Sequence, residues 1–241
     1  KNINLLKSKI IIFGSAGLLG KELKVQKNSK FKFKFVSKKD VDITNYNSVK
    51  QVIEKQNPNY IINCAALTDV DYCESNKKLA YMVNSTGTEN IVKNIKKKDI
   101  VFIHLSTDYV FNNQKNKMLV KENYIRKPIS TYGKSKLLAE KKIINNLDKY
   151  IIIRTSWLYG KNNKNFLSKI YKLSLKNKKL SIIFDQYSLP TYVVNLAKSI
   201  YKIISILENT NKNYYGVYQY CDSGKPISRY DFAKFYFKIL G

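Results

Sequence analysis

The chain has 241 residues, 44% of them hydrophobic, which suits one large α/β domain, or one such domain with a small appendage, and supplies a real core. A formal net charge of +27 would ordinarily point to a nucleic acid or an anionic membrane as partner. The lysines are instead scattered through every segment beside Asn, Ile and Tyr, the only arginines are Arg126, Arg154 and Arg229, and no nucleic-acid-binding signature occurs; the charge is a compositional drift, and neither partner is expected.

In chain order, Lys9–Phe13 is a short β-branched apolar run, a buried strand. Gly14-Ser15-Ala16-Gly17-Leu18-Leu19-Gly20 follows, and a helical pattern continues over 21–26. Glycines let a backbone turn sharply and approach a ligand closely, and the helix behind them presents free N–H groups and a positive dipole end. The spacing is G-x-x-G-x-x-G rather than the usual G-x-G-x-x-G, but its place between strand and helix predicts a dinucleotide pyrophosphate site. A signal peptide over 7–20 is the weaker account of the same residues.

Residues 31–36 read as the second strand. An acid often ends this strand and holds the adenosine ribose. Here Ser37-Lys38-Lys39 stands there, with Asp40 and Asp42 further on, which favours a 2′-phosphate and hence NADPH, with NADH as the alternative. Tyr46–Gln56 is helical and broken by Asn57-Pro58. Tyr60–Asn63 is the third strand, and the small residues Cys64-Ala65-Ala66 at its exit leave room for a cofactor. A helix is expected over 79–96 with Asn84 near its start, a fourth strand over 100–105, and a polar loop over 112–128. A helix then runs from Tyr132 to about Asn146, followed by a fifth strand over 150–154. Strand–helix alternation over this length predicts a doubly wound parallel sheet.

The rhythm then changes: a turn-rich exit at 155–160, a helix over 166–175, a strand over 180–184, a loop over 185–191 and a long helix over 192–207. Residues 215–220 alternate like a strand, and 228–240 form an amphipathic helix with Ser228 as its cap. The division expected is a dinucleotide-binding domain at 1–155, with 185–207 packing back onto it, and a smaller substrate-binding region at 156–184 and 208–241.

The chemistry is expected at the fourth strand's exit, Ser106-Thr107-Asp108-Tyr109-Val110-Phe111, and at Tyr132-Gly133-Lys134-Ser135-Lys136. Residues four apart share a helix face, so Tyr132 and Lys136 can point into one cleft opposite Thr107. A Lys cation beside a phenol lowers its pKa, which suits proton exchange with an alcohol or ketone. Tyr46/Lys50 and Tyr230/Lys234 have the same spacing. Only Tyr132 follows a buried-type strand ending in Ser-Thr; the other two read as partly buried phenols beside solvated cations. His104, the only histidine, lies in an apolar run and reads as a core residue. Cys64, Cys73 and Cys221 are an odd set without C-x-x-C spacing, which argues against zinc and disulfides and suits the cytoplasm. No apolar stretch is long enough to span a membrane.

Gly14, Gly17 and Gly20, a Thr107 exit and Tyr132-x-x-x-Lys136, in that order, resemble the extended short-chain dehydrogenase/reductase family. Val41-Asp42-Ile43-Thr44, Asn63-Cys64-Ala65-Ala66-Leu67-Thr68-Asp69-Val70-Asp71, Arg154-Thr155-Ser156-Trp157-Leu158-Tyr159-Gly160, Asn165-Phe166, Asp185-Gln186 and Pro190-Thr191 narrow it to the dTDP-4-dehydrorhamnose reductase branch, and together they span almost the whole chain. The resemblance implies hydride transfer from a nicotinamide cofactor to the C4 ketone of dTDP-4-dehydro-β-L-rhamnose. It implies Tyr132 as proton donor, Lys136 on the nicotinamide ribose and Thr107 on the ketone oxygen. Gly14, Ser15, Ala16, Gly17, Leu18, Leu19 and Gly20 would line the pyrophosphate, with Lys38, Asp42 and Ile43 on the adenosine side and Ala65, Ala66 and Leu67 flanking the cofactor. Asp108, Tyr109, Val110 and Trp157 would join Thr107 at the substrate, and a homodimer is a candidate assembly.

Leu67 stands where the family usually has an aromatic residue or His. The family pattern also continues past Gly241, so the chain reads as lacking one wall of the substrate pocket. Two rivals stay open. One is a related nucleotide-sugar epimerase or dehydratase, against which Asp108-Tyr109 after Thr107 argues. The other is a non-catalytic regulatory subunit of methionine adenosyltransferase, which the intact Thr107/Tyr132/Lys136 set disfavours.

Overall fold

The computed structural model describes residues 7–112, 119–161, 165–210 and 212–240. Five β-branched or aromatic runs form strands in the order expected: β1 (Lys9–Phe13), β2 (Lys32–Val36), β3 (Tyr60–Asn63), β4 (Val101–Thr107) and β5 (Tyr150–Thr155). Helices α1 (Leu18–Val25), α2 (Tyr46–Gln56), α3 (Val70–Ser75), α4 (Lys77–Tyr81), α5 (Gly87–Ile95) and α6 (Thr131–Ile144) connect them. Then follow β6 (Leu158–Tyr159), α7 (Phe166–Ser174), β7 (Tyr187–Ser188), β8 (Thr191–Tyr192), α8 (Val193–Glu208), β9 (Gly216–Tyr220), β10 (Ile227–Ser228) and α9 (Arg229–Leu240).

The main sheet is parallel throughout, in the order β2-β1-β3-β4-β5-β9. It is α/β and doubly wound: β1 lies between β2 and β3, so the connections leave in opposite directions and a crevice opens beyond the carboxyl ends of β1 and β3. Both faces are covered, as an apolar parallel sheet requires. Ile10, Ile12, Ile62, Ile103 and Ile153 pack with α1 and α8 through Leu23, Leu196, Ile200 and Ile204. Ile11, Phe13, Ile61, Phe102 and Ile152 face α2, α5 and α6 through Val49, Ile53, Ile91, Ile95 and Ile143.

Local signals explain the element ends. Asn45 caps α2 through the Ser48 N–H, and Asn57, left-handed at φ 42°, ends it before Pro58. Ser228 accepts the Asp231 N–H at 2.9 Å and starts α9.

Three expectations are corrected. Residues 180–184 form no strand: with no partner edge, Ile183 and Phe184 stay exposed and the run stays irregular. Residues 185–191, expected as a loop, hold β7, which pairs with β10, and the start of β8, which pairs with β6. β9 lies within 208–241, set apart above as substrate region, yet it is the sixth strand of the main sheet, because its alternation fits the open edge of β5.

Candidate active site

The chemistry-bearing residues gather at the carboxyl ends of β1, β3 and β4. Gly14 takes φ +76°, and a Cβ there would lie 2.5 Å from the Ala65 nitrogen. Only glycine lets the two strand exits approach so closely. A Cβ on Gly20 would meet the Gly14 carbonyl at 2.4 Å. Gly17 is exposed at the amino end of α1, and the Ser15 N–H donates to the Val36 carbonyl at 3.1 Å, tying the loop to the β2 exit. The result is a cradle of backbone at a helix amino terminus.

β4 extends two residues beyond the apolar run, so Ser106 and Thr107 are its last members, paired with Arg154 and Thr155 of β5. Thr107 Oγ1 accepts the Tyr109 N–H and donates to Asp108 Oδ1, both at 3.2 Å. α6 begins beside this turn for local reasons. Ser130 caps it through the Gly133 N–H, and Glu74 takes both the N–H and the hydroxyl of Thr131. A Cβ on Gly133 would sit 2.2 Å from the Tyr109 carbonyl, so α6 can lie against the Thr107 exit only with glycine there. That contact brings Tyr132 to Thr107.

Burial raises the Tyr132 phenol above its ordinary value, opposed by its hydrogen bond with Thr107 and reinforced by Asp108, Tyr109 and Cys73. This corrects the expected tuning. Lys136 does not lower the phenol, because its Nζ lies 3.0 Å from His104 Nε2 instead. Burial lowers the Lys136 ammonium to about 8, against the opposing pull of Glu140 and Cys64. Burial, and then the Lys136 charge, hold His104 well below its ordinary pKa, so it is a neutral imidazole.

On the substrate side, Asp108 Oδ2 accepts from Ser188 Oγ at 2.8 Å. Burial raises the Asp108 carboxyl, opposed by the Ser188 and Thr107 hydrogen bonds and the Arg229 charge. Trp157 sits at φ +40°, which a bulky residue rarely adopts. Its indole N–H is buried and finds no partner among the described residues, and the Arg229 guanidinium lies 3.8 Å over its ring. A buried donor without an acceptor is costly, and so is a positive φ at a bulky residue.

A family model described as RmlD substrate binding domain matches residues 8–241. The chain belongs to the RmlD family. It is 34% identical to a dTDP-4-dehydrorhamnose reductase of Aggregatibacter actinomycetemcomitans over 94% of this chain and 77% of that protein. It is 30% identical to a dTDP-4-keto-6-deoxy-D-glucose reductase of Streptomyces niveus over 96% and 78%. The crystal structure of a dTDP-4-dehydrorhamnose reductase from Bacillus anthracis in complex with NADP superposes with a TM-score of 0.89 at 35% identity, over 98% of this chain and 82% of that one.

Within this RmlD fold the predicted residues divide. Gly14, Ser15, Ala16, Gly17, Leu18, Ala65, Ala66 and Leu67 are partly or fully accessible at the crevice, as are Lys38 and Asp42 at its β2 side. Asp42 Oδ1 accepts the Thr44 N–H and hydroxyl, which lower its pKa. Three predicted contacts have their side chains elsewhere. Leu19 is buried in the core on the α1 face. Ile43 is buried against Gly87. Val110 is fully buried with Phe111 and Leu137.

Three residues of the site escaped sequence reasoning. Asn84 bridges elements: its Oδ1 accepts the Leu67 N–H at 2.7 Å, and its Nδ2 donates to the Leu67 carbonyl and to Ser135 Oγ, each at 3.0 Å. It lies in a π-helical turn, Met82–Thr86, joining α4 to α5, and such turns recur at functional sites. Arg229 gave no signal, since the motif it flanks is distant in sequence. His104 had one: a lone polar residue in a fully buried strand must find a partner.

Proposed function

We propose that this chain reduces the C4 ketone of dTDP-4-dehydro-β-L-rhamnose to dTDP-L-rhamnose with NADPH or NADH as hydride donor. The observation that carries this reading is the convergence of Thr107, Tyr132 and Lys136 at the β4 exit in a member of the RmlD family. Its relatives are named as reductases of dTDP-4-keto sugars, and one was solved with NADP.

The cradle fits a dinucleotide. The Gly17 N–H closes the turn onto the Gly14 carbonyl at 3.0 Å, and the glycines at 14 and 20 let this loop fold tightly against Ala65 and onto the amino end of α1, where a pyrophosphate would meet the helix terminus. Lys38 and Lys39 are exposed at the β2 exit, and their charge supports binding of a 2′-phosphate. When bound, the cofactor supplies the hydride.

The chain's own residues supply the rest. Tyr132, kept protonated by burial, donates its phenolic proton to O4 as negative charge grows there. Thr107 Oγ1 turns its hydroxyl to the same oxygen and stabilises that charge. Lys136 holds the nicotinamide ribose and supplies positive charge to the site once the cofactor is bound. The indole N–H of Trp157 donates to the sugar and so satisfies its hydrogen bond.

The test is NADPH oxidation with the dTDP-4-keto sugar generated in situ, in its L-lyxo and its D-xylo configuration; the Streptomyces relative's name makes the second a real comparison. Turnover of the first and not the second supports the reading, and turnover of neither sinks it. Fluorescence titration separates the cofactors: NADPH binds at least as tightly as NADH, and Lys38→Glu with Lys39→Glu reverses the order. A cytoplasmic site of action accords with an intracellular nucleotide-sugar substrate, and among the described residues no helix can cross a membrane. Exposed Phe235, Ile239 and Leu240 on α9 support self-association, which sedimentation at several concentrations tests.

A further inference from the structure

Asn63, His104 and Lys136 form a buried chain whose hydrogens can be placed from fixed donors. The Ala65 backbone N–H donates to Asn63 Oδ1 at 3.0 Å. A backbone N–H cannot accept, so the Asn63 amide is pinned with Nδ2 outward. Nδ2 lies 3.3 Å from His104 Nδ1, and also 3.3 Å from Thr88 Oγ1, whose own hydroxyl donates to the Asn84 carbonyl at 2.8 Å. Asn63 Nδ2 therefore donates to His104 Nδ1. A neutral imidazole that accepts at Nδ1 carries its hydrogen on Nε2. That hydrogen points at Lys136 Nζ, 3.0 Å away. An ammonium has three donors and no acceptor, so it would meet the Nε2–H donor to donor; an uncharged amine accepts it.

We propose that in the cofactor-free protein at mildly alkaline pH His104 holds Lys136 as an uncharged amine, and that cofactor binding draws a proton from solvent onto Lys136 Nζ. This rests on the reading that the crevice binds NADPH. His104 is thus a positioning residue, holding Lys136 as the amine until ribose hydroxyls and a pyrophosphate arrive.

The groups facing Lys136 agree. His104 is fully buried and Lys136 only 1% exposed, so a charge there is poorly solvated. Glu140, one turn along α6, favours the ammonium, but Arg154 takes two of its hydrogen bonds, at 2.9 and 2.7 Å, and Ser106 a third. Cys64 at the β3 exit is pushed up to about 12 by burial and stays a neutral thiol. Tyr132, on the same helix, stays a neutral phenol. No uncompensated anion is left to hold the Lys136 proton against desolvation.

Two measurements test this. His104 is the only histidine in the chain, so ring-nitrogen NMR of protein labelled at histidine reads a single imidazole. The expected signature is hydrogen on Nε2 and a bare, accepting Nδ1 in the free protein. Hydrogen on Nδ1 overturns the proposal whether or not NADPH binds. Calorimetry of NADPH binding, in buffers of different ionisation enthalpy, then counts protons. At about pH 9, well above the second ionisation of a phosphate monoester at about 6, the cofactor contributes none. Uptake approaching about one proton per NADPH is expected by linkage. Lys136→Met abolishes it. Asn63→Asp also abolishes it, because a carboxylate accepts from Nδ1 and frees Nε2 to take a hydrogen bond from an ammonium. Binding without proton uptake in the native protein overturns the inference and leaves the reductase reading intact. Absence of NADPH binding overturns that reading, and the NMR result still decides the state of His104.

Discussion

At the scale of single residues, position identified Tyr132 among three Tyr/Lys pairs: Tyr46 and Tyr230 are about half exposed, whereas Tyr132 is buried against Thr107. Spacing on a helix was legible; the direction of the pKa shift was not, because burial depends on what packs over the ring. Tyr132→Phe is expected to lower turnover by about 10²–10⁴-fold, the range of a general acid, with NADPH affinity kept. Tyr46→Phe and Tyr230→Phe leave turnover nearly unchanged; a fully active Tyr132→Phe would refute the assignment. A pH prediction follows from Lys136. With its pKa lowered to about 8, free enzyme carries the ammonium below that pH and the amine above it. If the cofactor prefers the ammonium, kcat/KM for NADPH falls as pH rises through about 8, approaching tenfold per unit. Tyr132, raised by burial, stays protonated across this range and adds no second inflection. A flat profile from neutral to alkaline pH counts against Lys136.

At the scale of elements, apolar periodicity located the sheet's first five strands because buried parallel strands are continuous β-branched runs. It failed at 180–184, where an equally apolar run finds no neighbouring edge. It also saw one helix at 79–96 where a π turn separates α4 from α5. One extra residue in a turn leaves the hydrophobic pattern nearly intact, so the reach of Asn84 to Leu67 and Ser135 is a property of the fold that the pattern does not carry. The approach of α6 to the β4 exit is set by Gly133. Gly133→Ala places a methyl 2.2 Å from the Tyr109 carbonyl, and backbone on both sides must move. The expected cost is about 1–3 kcal/mol of stability, the range for an inserted methyl group in a packed site. Turnover falls more than NADPH affinity, since Tyr132 is displaced from Thr107 while the glycine cradle is untouched. Urea denaturation and steady-state kinetics on one preparation check both; losses confined to NADPH affinity would mean that α6 is not seated by this contact.

At the scale of the whole molecule, strand–helix alternation predicted the doubly wound sheet, and the switch between β1 and β3 put the cofactor crevice where such folds place it. What alternation did not show is how the sheet is locked to the helix bearing Tyr132. Glu140 of α6 and Arg154 of β5 form an ion pair at 2.7 Å, with side chains 0% and 1% exposed. Ser106 of β4 donates to the same carboxylate at 2.6 Å, Arg154 also donates to the Glu122 carbonyl at 2.8 Å, and Phe111 lies under the guanidinium at 5.1 Å. Sequence could not pair these residues: Glu140 is flanked by lysines that read as its partners, Arg154 ends an apolar strand, and nothing in their spacing joins a helix to a strand. Removing one partner leaves the other charged and buried, which typically costs about 3–5 kcal/mol. Glu140→Met and Arg154→Met are each expected to lose about that much. Removing both strands no charge, so the double variant is expected to lose less than the sum of the singles and to lie close to one of them. Unfolding of all four proteins in urea gives the coupling directly. If the two losses simply add, the pair contributes nothing beyond its separate contacts. The double variant should also keep less turnover than stability, because methionine cannot hold the Ser106 hydroxyl and the Thr107 exit of β4 is then free to shift.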